Sequence, residues 1–377
     1  MGIEALHASG VTITDVHGRQ YTDLISGIGV SAVGHCHPHV VKAVQDQAAT
    51  YMHLMVYGEY IQTPQTKLAQ KLASLLPEQL QCTYFVNSGA EAIEGAMKLC
   101  KRATGRTGII TFENAYHGST HGALSLMGNE YFKQAYRPLL PDVRILKYAD
   151  ESEFDHITEE TAAVFIETVR GEAGIQLPPD SYLKKLRERC NATGTLLVFD
   201  EIQCGMGRTG HFFAFEKYGV IPDVLVLAKG LGGGMPIGAF CASYALMQTF
   251  THNPVLGHIT TFGGHPVNCA AALACIEVIE QEQLLAAIPE KEQCIRNMLV
   301  HPAITDIQGT GLMWSAGFAD ETQNRQIIEK CMEYGVITDW FLFAPDRMRI
   351  APPLTITMDE LKMALQKIRD AIDACTR

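Results

Sequence analysis

The stretch Thr195-Leu196-Leu197-Val198-Phe199-Asp200-Glu201-Ile202-Gln203, read with the segment before it, decides the fold. Residues 195–199 are apolar or β-branched and end on an acid, the pattern of a strand buried on both faces. Upstream, Asp180 reads as an N-cap and Gly194 as the C-terminal stop of a helix over residues 183–192. Downstream, Val224-Leu225-Val226-Leu227-Ala228 repeats the apolar run and leads to Lys229. Working outward, residues 83–86, 108–112 and 162–166 read as further strands, and a helix opens near Ser88. Short apolar strands alternating with helices predict βαβ units, an α/β class and a mostly parallel sheet.

The two ends differ in character. Residues 11–25 read as a hairpin, and Pro38 opens a helix over 40–50. From about Pro266 the chain turns helical, then passes through short strands near Ile307 and Met348 to a last helix from Asp359. This predicts a large domain over residues 50–270 and a smaller α+β domain made from 1–49 and 271–377. The length of 377 residues accommodates both.

A chain with 47% hydrophobic and 19% charged residues buries a sizeable core, which excludes a disordered protein. Its net charge of −11, without a basic tract, argues against nucleic acid or an anionic membrane as partner. No apolar run approaches the roughly 20 residues that span a bilayer. Eleven cysteines, an odd number with no C-x-x-C pair, sit in several cases inside apolar patterns, as at Cys100, Cys241 and Cys275. Met1-Gly2-Ile3-Glu4 does not open a signal peptide. The expectation is a soluble protein of the reducing cytoplasm.

Three constellations carry chemistry. Asp200 stands where a buried strand ends, the place at which open α/β sheets bind ligands, although strand ends also use Asp simply to cap a turn. Lys229 follows a second such strand and precedes Gly230-Leu231-Gly232-Gly233-Gly234. A lysine there is placed for a lowered pKa and Schiff-base chemistry; the plainer reading is a solvated loop lysine. Asn87-Ser88-Gly89-Ala90-Glu91 opens a helix with small residues, so backbone N–H groups can meet a phosphate. Two rival patterns weigh little. Gly205-Met206-Gly207-Arg208-Thr209-Gly210 matches the nicotinamide-binding G-x-G-x-x-G, but no crossover helix starts within it. His35, His37 and His39 alternate like metal ligands, but Pro38 favours a helix start, and no metal is expected.

Read in order, SGAEA at 88–92, AYHG at 115–118, RGEAG at 170–174, FDEIQ at 199–203, GRTG at 207–210, AKGLGGGMPIGA at 228–239, TTFGG at 260–264 and RIAPPL at 349–354 resemble the class III aminotransferases. The likeness is to their acetylornithine and ornithine members and covers nearly the whole chain. It implies fold type I, with a seven-stranded, mostly parallel sheet, and pyridoxal 5′-phosphate as cofactor. By resemblance, Lys229 is the lysine that forms the Schiff base and Asp200 the carboxylate paired with the pyridine nitrogen. Gln203 reaches the ring's phenolic oxygen, Tyr116 stacks on the ring with His117 beside it, and Ser88, Gly89 and Ala90 cradle the phosphate. Thr261 contacts the phosphate from a neighbouring subunit, which implies a homodimer with shared active sites. Glu172 and Arg349 form a switching pair, the arginine binding a substrate α-carboxylate and the glutamate neutralising it otherwise. The implied reaction moves the amino group of an ω-amino or diamino acid of the ornithine, acetylornithine or 4-aminobutyrate type to 2-oxoglutarate by ping-pong kinetics. An aminomutase or decarboxylase of the same fold is the alternative, and a nicotinamide-dependent oxidoreductase a remote one.

The chain departs from the family pattern in three places. Ser119 stands where acetylornithine and ornithine members usually carry an arginine for the distal carboxylate. Thr168-Val169-Arg170 replaces the usual Pro-x-Gln, so Arg170 either restores that charge from across the pocket or is an ordinary exposed arginine. The segment before Val11 is shorter than usual, so either the start is misplaced or the substrate entrance is more open.

Overall fold

Seven strands form the central sheet of the computed structural model, which describes residues 2–55 and 58–376. They are β1 (Cys82–Val86), β2 (Gly108–Phe112), β3 (Val143–Leu146), β4 (Thr161–Glu167), β5 (Leu196–Asp200), β6 (Val224–Leu227) and β7 (Gly238–Ala242). In space the order is β1-β7-β6-β5-β4-β2-β3. All run parallel except β7, which is antiparallel to both its neighbours.

Strands β4 to β7 are buried along nearly their whole length because both faces are covered. Leu197, Phe199 and Leu225 point into the same core as Leu183, Leu186 and Cys190 of the helix Tyr182–Thr193. Val198, Val224 and Val226 point the other way, onto Ile93, Ala96 and Met97 of the helix Gly89–Thr104. Alternate residues of one strand thus enter different cores, as a period of two requires. Both helices end on a left-handed glycine, Gly105 and Gly194.

The sequence reading missed β3 and β7. The first is an edge strand carrying exposed Arg144, and the second, Gly-Ala-Phe-Cys-Ala, is poor in β-branched residues. Asp180 is not the N-cap expected. The turn from Pro179, whose carbonyl accepts the Tyr182 N–H, places Ser181 at the cap with φ 63°, and the helix runs over Tyr182–Thr193.

Chain ends meet in the smaller sheets. Ala5–Ser9, Thr12–Asp15 and Gln20–Asp23 form a meander that Val336–Ile337 extends in parallel. Ile307–Thr310, Met313–Gly317, Ala344–Ile350 and Trp340–Phe341 make the other sheet. The helices Pro38–Thr50 and Thr63–Leu75 lie along Pro266–Gln281. His35, His37 and His39 go to three separate carboxylates, Asp23, Glu282 and Glu277. All eleven cysteines are free thiols. Among the described residues no helix is long and apolar enough to cross a membrane.

Candidate active site

Because the parallel strands share a direction, their carboxyl ends open along one edge, and a cavity of about 430 Å³ lies there. Glu167 ends β4 and Asp200 ends β5, opposite one another in register, and Lys229 follows β6 after one residue. Ser88, Gly89, Ala90, Tyr116, His117, Glu172 and Gln203 complete the part of the wall that the sequence anticipates.

On one side of the cavity the helix Gly89–Thr104 begins. Ser88 caps it by accepting the Glu91 N–H at 3.2 Å, while Glu91 reaches back past Ser88 to the Asn87 N–H at 2.8 Å. The first-turn N–H groups of Gly89 and Ala90 have no partner within a helix and are placed to meet an anion, for which the positive end of the dipole is worth roughly 0.3 to 1 kcal/mol. Ile202 packs directly on Gly89, where a Cβ would meet its Cδ1 at 2.8 Å.

On the floor, Asp200 uses its two oxygens for two tasks. Oδ1 accepts the Ile202 N–H at 2.9 Å, the turn-capping role, and Oδ2 meets His117 Nδ1 at 2.7 Å, with both side chains buried. His117 Nε2 is buried without a partner. Lys229 adopts φ 45°, which aims the side chain back over the floor from the loop behind β6. Burial lowers its pKa, and the Arg349 charge adds to that, while Glu172, Asp200 and Glu167 oppose it. A larger share of neutral amine follows, the form that attacks a carbonyl.

Glu167 is a cavity residue that the sequence reading overlooked. Its Oε1 accepts the Tyr116 N–H at 3.2 Å and its Oε2 the Gly171 N–H at 2.8 Å, so it ties together the two loops that carry Tyr116 and Glu172. Burial raises its pKa despite His117 nearby. The available signal was the one used for Asp200, an acid closing a buried strand; the predicted strand stopped one residue too soon.

Arg349 stands behind the cavity wall rather than on it, only 2% exposed. Glu172 covers it, with Oε1 3.1 Å from Nη1 and Oε2 3.1 Å from Nη2. Gln203 bridges the pair, donating to Glu172 at 3.0 Å and accepting from Arg349 at 3.4 Å. The charge and hydrogen bonds of Arg349 hold the Glu172 carboxyl below its ordinary value although burial pushes it up. Gly171 leaves room for this arrangement, because a Cβ there would lie 2.3 Å from Gln203 Oε1.

Other expectations resolve differently. Thr261 does not line the cavity of its own chain; its carbonyl accepts from His53 at 2.9 Å. Arg170 neither restores a charge to the cavity nor lies exposed. It is buried, stacks 4.2 Å from the Tyr148 ring centre, and donates to Gln176 Oε1 and the Glu113 carbonyl. Ser119 is exposed, its Oγ 3.2 Å from the Tyr116 hydroxyl. Gly205–Gly210 forms turns rather than a helix start, with Arg208 buried against the carbonyls of Leu312 and Pro352. The nicotinamide reading has no structural footing there.

A carboxylate on the floor, a buried imidazole nitrogen without a partner, a lysine of lowered pKa and a phosphate-sized helix start suit pyridoxal phosphate in charge and order. The comparisons agree. The model of the family described as aminotransferase class-III matches residues 2–372. An acetylornithine aminotransferase of Methanopyrus kandleri is 39% identical over 368 residues, covering 97% of this chain and 93% of that protein. An ornithine aminotransferase of Toxoplasma gondii, crystallised with partial occupancy of the cofactor, superposes with a TM-score of 0.91 at 27% identity, over 99% of this chain and 90% of that one. The omega transaminase of Pseudomonas jessenii in complex with pyridoxamine phosphate gives 0.92 at 25% identity, over 100% and 93%. The chain therefore belongs to the class III aminotransferases and is a transaminase of fold type I that uses pyridoxal phosphate.

Proposed function

We propose that the enzyme transfers the amino group of an ω-amino or diamino acid, of the ornithine, acetylornithine or 4-aminobutyrate type, to 2-oxoglutarate, giving glutamate by ping-pong kinetics. The observation that carries this reading is the fork of Arg349 under Glu172 at the cavity wall. A donor that brings no α-carboxylate beside the reacting amine leaves the ion pair closed. A donor such as glutamate replaces Glu172 with its own carboxylate and gains the same bidentate contact.

When bound, pyridoxal phosphate supplies an aldehyde that condenses with amines and a ring that withdraws electrons from the carbon being deprotonated. In this reading the residues of the chain do the rest. Asp200, oriented by His117, faces the ring nitrogen and keeps it protonated. Lys229 Nζ would take the proton from the substrate carbon as general base and give it up again as general acid. Tyr116 covers the ring, Gln203 addresses its phenolic oxygen, and Ser88, Gly89 and Ala90 hold the phosphate. Thr261 reaches the phosphate of a partner subunit in a homodimer. Exposed Ile61, Val255, Ile259 and Phe262, apolar residues on the segments before β1 and around Thr261, support that pairing. Eleven free thiols suit a cytoplasmic location.

Beside the cavity the Ser119 and Tyr116 hydroxyls offer a distal carboxylate hydrogen-bond donors without the opposite charge and bidentate fork of an arginine. The test is a set of half-reactions: single amines are mixed with the pyridoxal form and its absorbance followed. Glutamate and at least one ω-amine convert it; failure of glutamate to do so removes the role given to Arg349 and Glu172.

A further inference from the structure

Arg349 is held by a second carboxylate. Asp339 lies just before the strand Trp340–Phe341, which pairs with Ala344–Ile350, so the hairpin sets Asp339 beside Arg349. The Arg349 N–H donates to the Asp339 carbonyl at 2.8 Å, and Arg349 Nε donates to Asp339 Oδ1, also at 2.8 Å. The two carboxylates take different edges of the guanidinium: Asp339 the Nε side, Glu172 the two terminal nitrogens. The Phe341 ring lies 4.3 Å under the guanidinium carbon, and the Trp340 carbonyl is 3.4 Å from Nη2. Glu172, by contrast, sits on the loop after β4 and belongs to the cavity wall.

We infer that Asp339 is a positioning residue for substrate carboxylates: it locks Arg349 by its Nε edge, so that the terminal nitrogens still face the cavity when Glu172 gives way. This rests on the reading of Glu172 and Arg349 as a switching pair. When a substrate displaces Glu172, the neutral contacts to Gln203 and Trp340, each at 3.4 Å, and the Phe341 ring remain, and Asp339 is the charged partner that still fixes the guanidinium. With Asp339 in place the arginine is a fixed fork and only one partner has to move. Asp339 does not line the cavity and meets the guanidinium on its Nε edge, not on the terminal nitrogens that Glu172 covers.

The test uses the cofactor-loaded enzyme and the two half-reactions, with glutamate and with an ω-amine that wild type converts. For Asp339→Ala, the KM for glutamate divided by the KM for the ω-amine rises about tenfold or more, while kcat for glutamate stays within about threefold. Asp339→Asn, whose side-chain oxygen can accept the same Nε–H, restores most of the ratio. An unchanged ratio in Asp339→Ala, or equal losses in both half-reactions, overturns the proposal. An unaltered cofactor absorbance band in each variant establishes that the active site is assembled. If wild type itself is not converted by glutamate, the switching-pair reading fails, a result separate from any effect at Asp339.

Discussion

Two carboxylate clamps meet at the same cavity, and they are built differently. Asp200 and His117 meet at 2.7 Å, each buried, and the remaining oxygen of Asp200 is taken by the backbone of its own turn. Everything that orients this clamp belongs to the central sheet and the loops that leave it. Glu172 and Arg349 meet at 3.1 Å and come from different sheets: Glu172 follows β4, while Arg349 lies on Ala344–Ile350 of a smaller sheet. Leu342 donates its N–H to Glu172 Oε2 at 3.2 Å, and Phe343 its N–H to the Glu172 carbonyl at 3.0 Å. The first clamp is stiff because one frame carries both halves. The second joins two frames through polar contacts that a ligand carboxylate can imitate. A site that performs one chemistry on two substrates needs both kinds: a fixed half for the chemistry and an exchangeable half for recognition.

The sharpest way to test the division is to remove the fixed half. Lys229→Ala abolishes turnover, by at least about 10⁴-fold, because the proton-transfer group and the point of covalent attachment go together. Single-turnover absorbance separates binding from chemistry: the variant still takes up pyridoxal phosphate but does not convert it. Asp200→Asn comes next. It preserves shape and a contact to His117 but removes the negative charge at the ring nitrogen, and kcat falls about 10² to 10³-fold for glutamate and the ω-amine alike. Unequal losses in the two half-reactions would show that Asp200 also takes part in recognition, and the comparison would break.

How much of this was legible follows from the same difference. Motifs at strand ends stand out because an apolar run stops at a charged residue, and Asp200 and Lys229 were both readable for that reason. Glu167 had the same signal, hidden by a one-residue error in the strand boundary. Asp339 had none: an acid between Thr338 and Trp340 is given its role only by a hairpin that brings Arg349 beside it. Glu172 and Arg349, 177 positions apart, carried meaning through family resemblance rather than spacing. The strands β3 and β7 were lost to composition, one polar at an edge and the other made of small residues whose place in the sheet is decided by neighbours.

Arg170 gives the smallest expected effect on catalysis and the cleanest limit to the recognition half. From sequence, standing where the family usually has the Gln of Pro-x-Gln, it was either a replacement for the charge that Ser119 lacks or an ordinary exposed arginine. The alternating directions of an extended segment send it elsewhere: its N–H and carbonyl pair with Gln176, and its guanidinium turns onto Tyr148. Burial lowers its pKa, and the Glu167 charge works against that shift. Its loss therefore registers in stability. Arg170→Gln lowers the unfolding free energy by about 2 to 4 kcal/mol, combining lost hydrogen bonds, a lost cation–π contact and an underfilled site. The KM for a carboxylate-bearing amine changes by less than about twofold. Thermal unfolding and steady-state kinetics on one preparation decide the matter. A tenfold rise in KM without a fall in Tm would return Arg170 to the cavity and require the loop before Glu172 to rearrange when substrate binds.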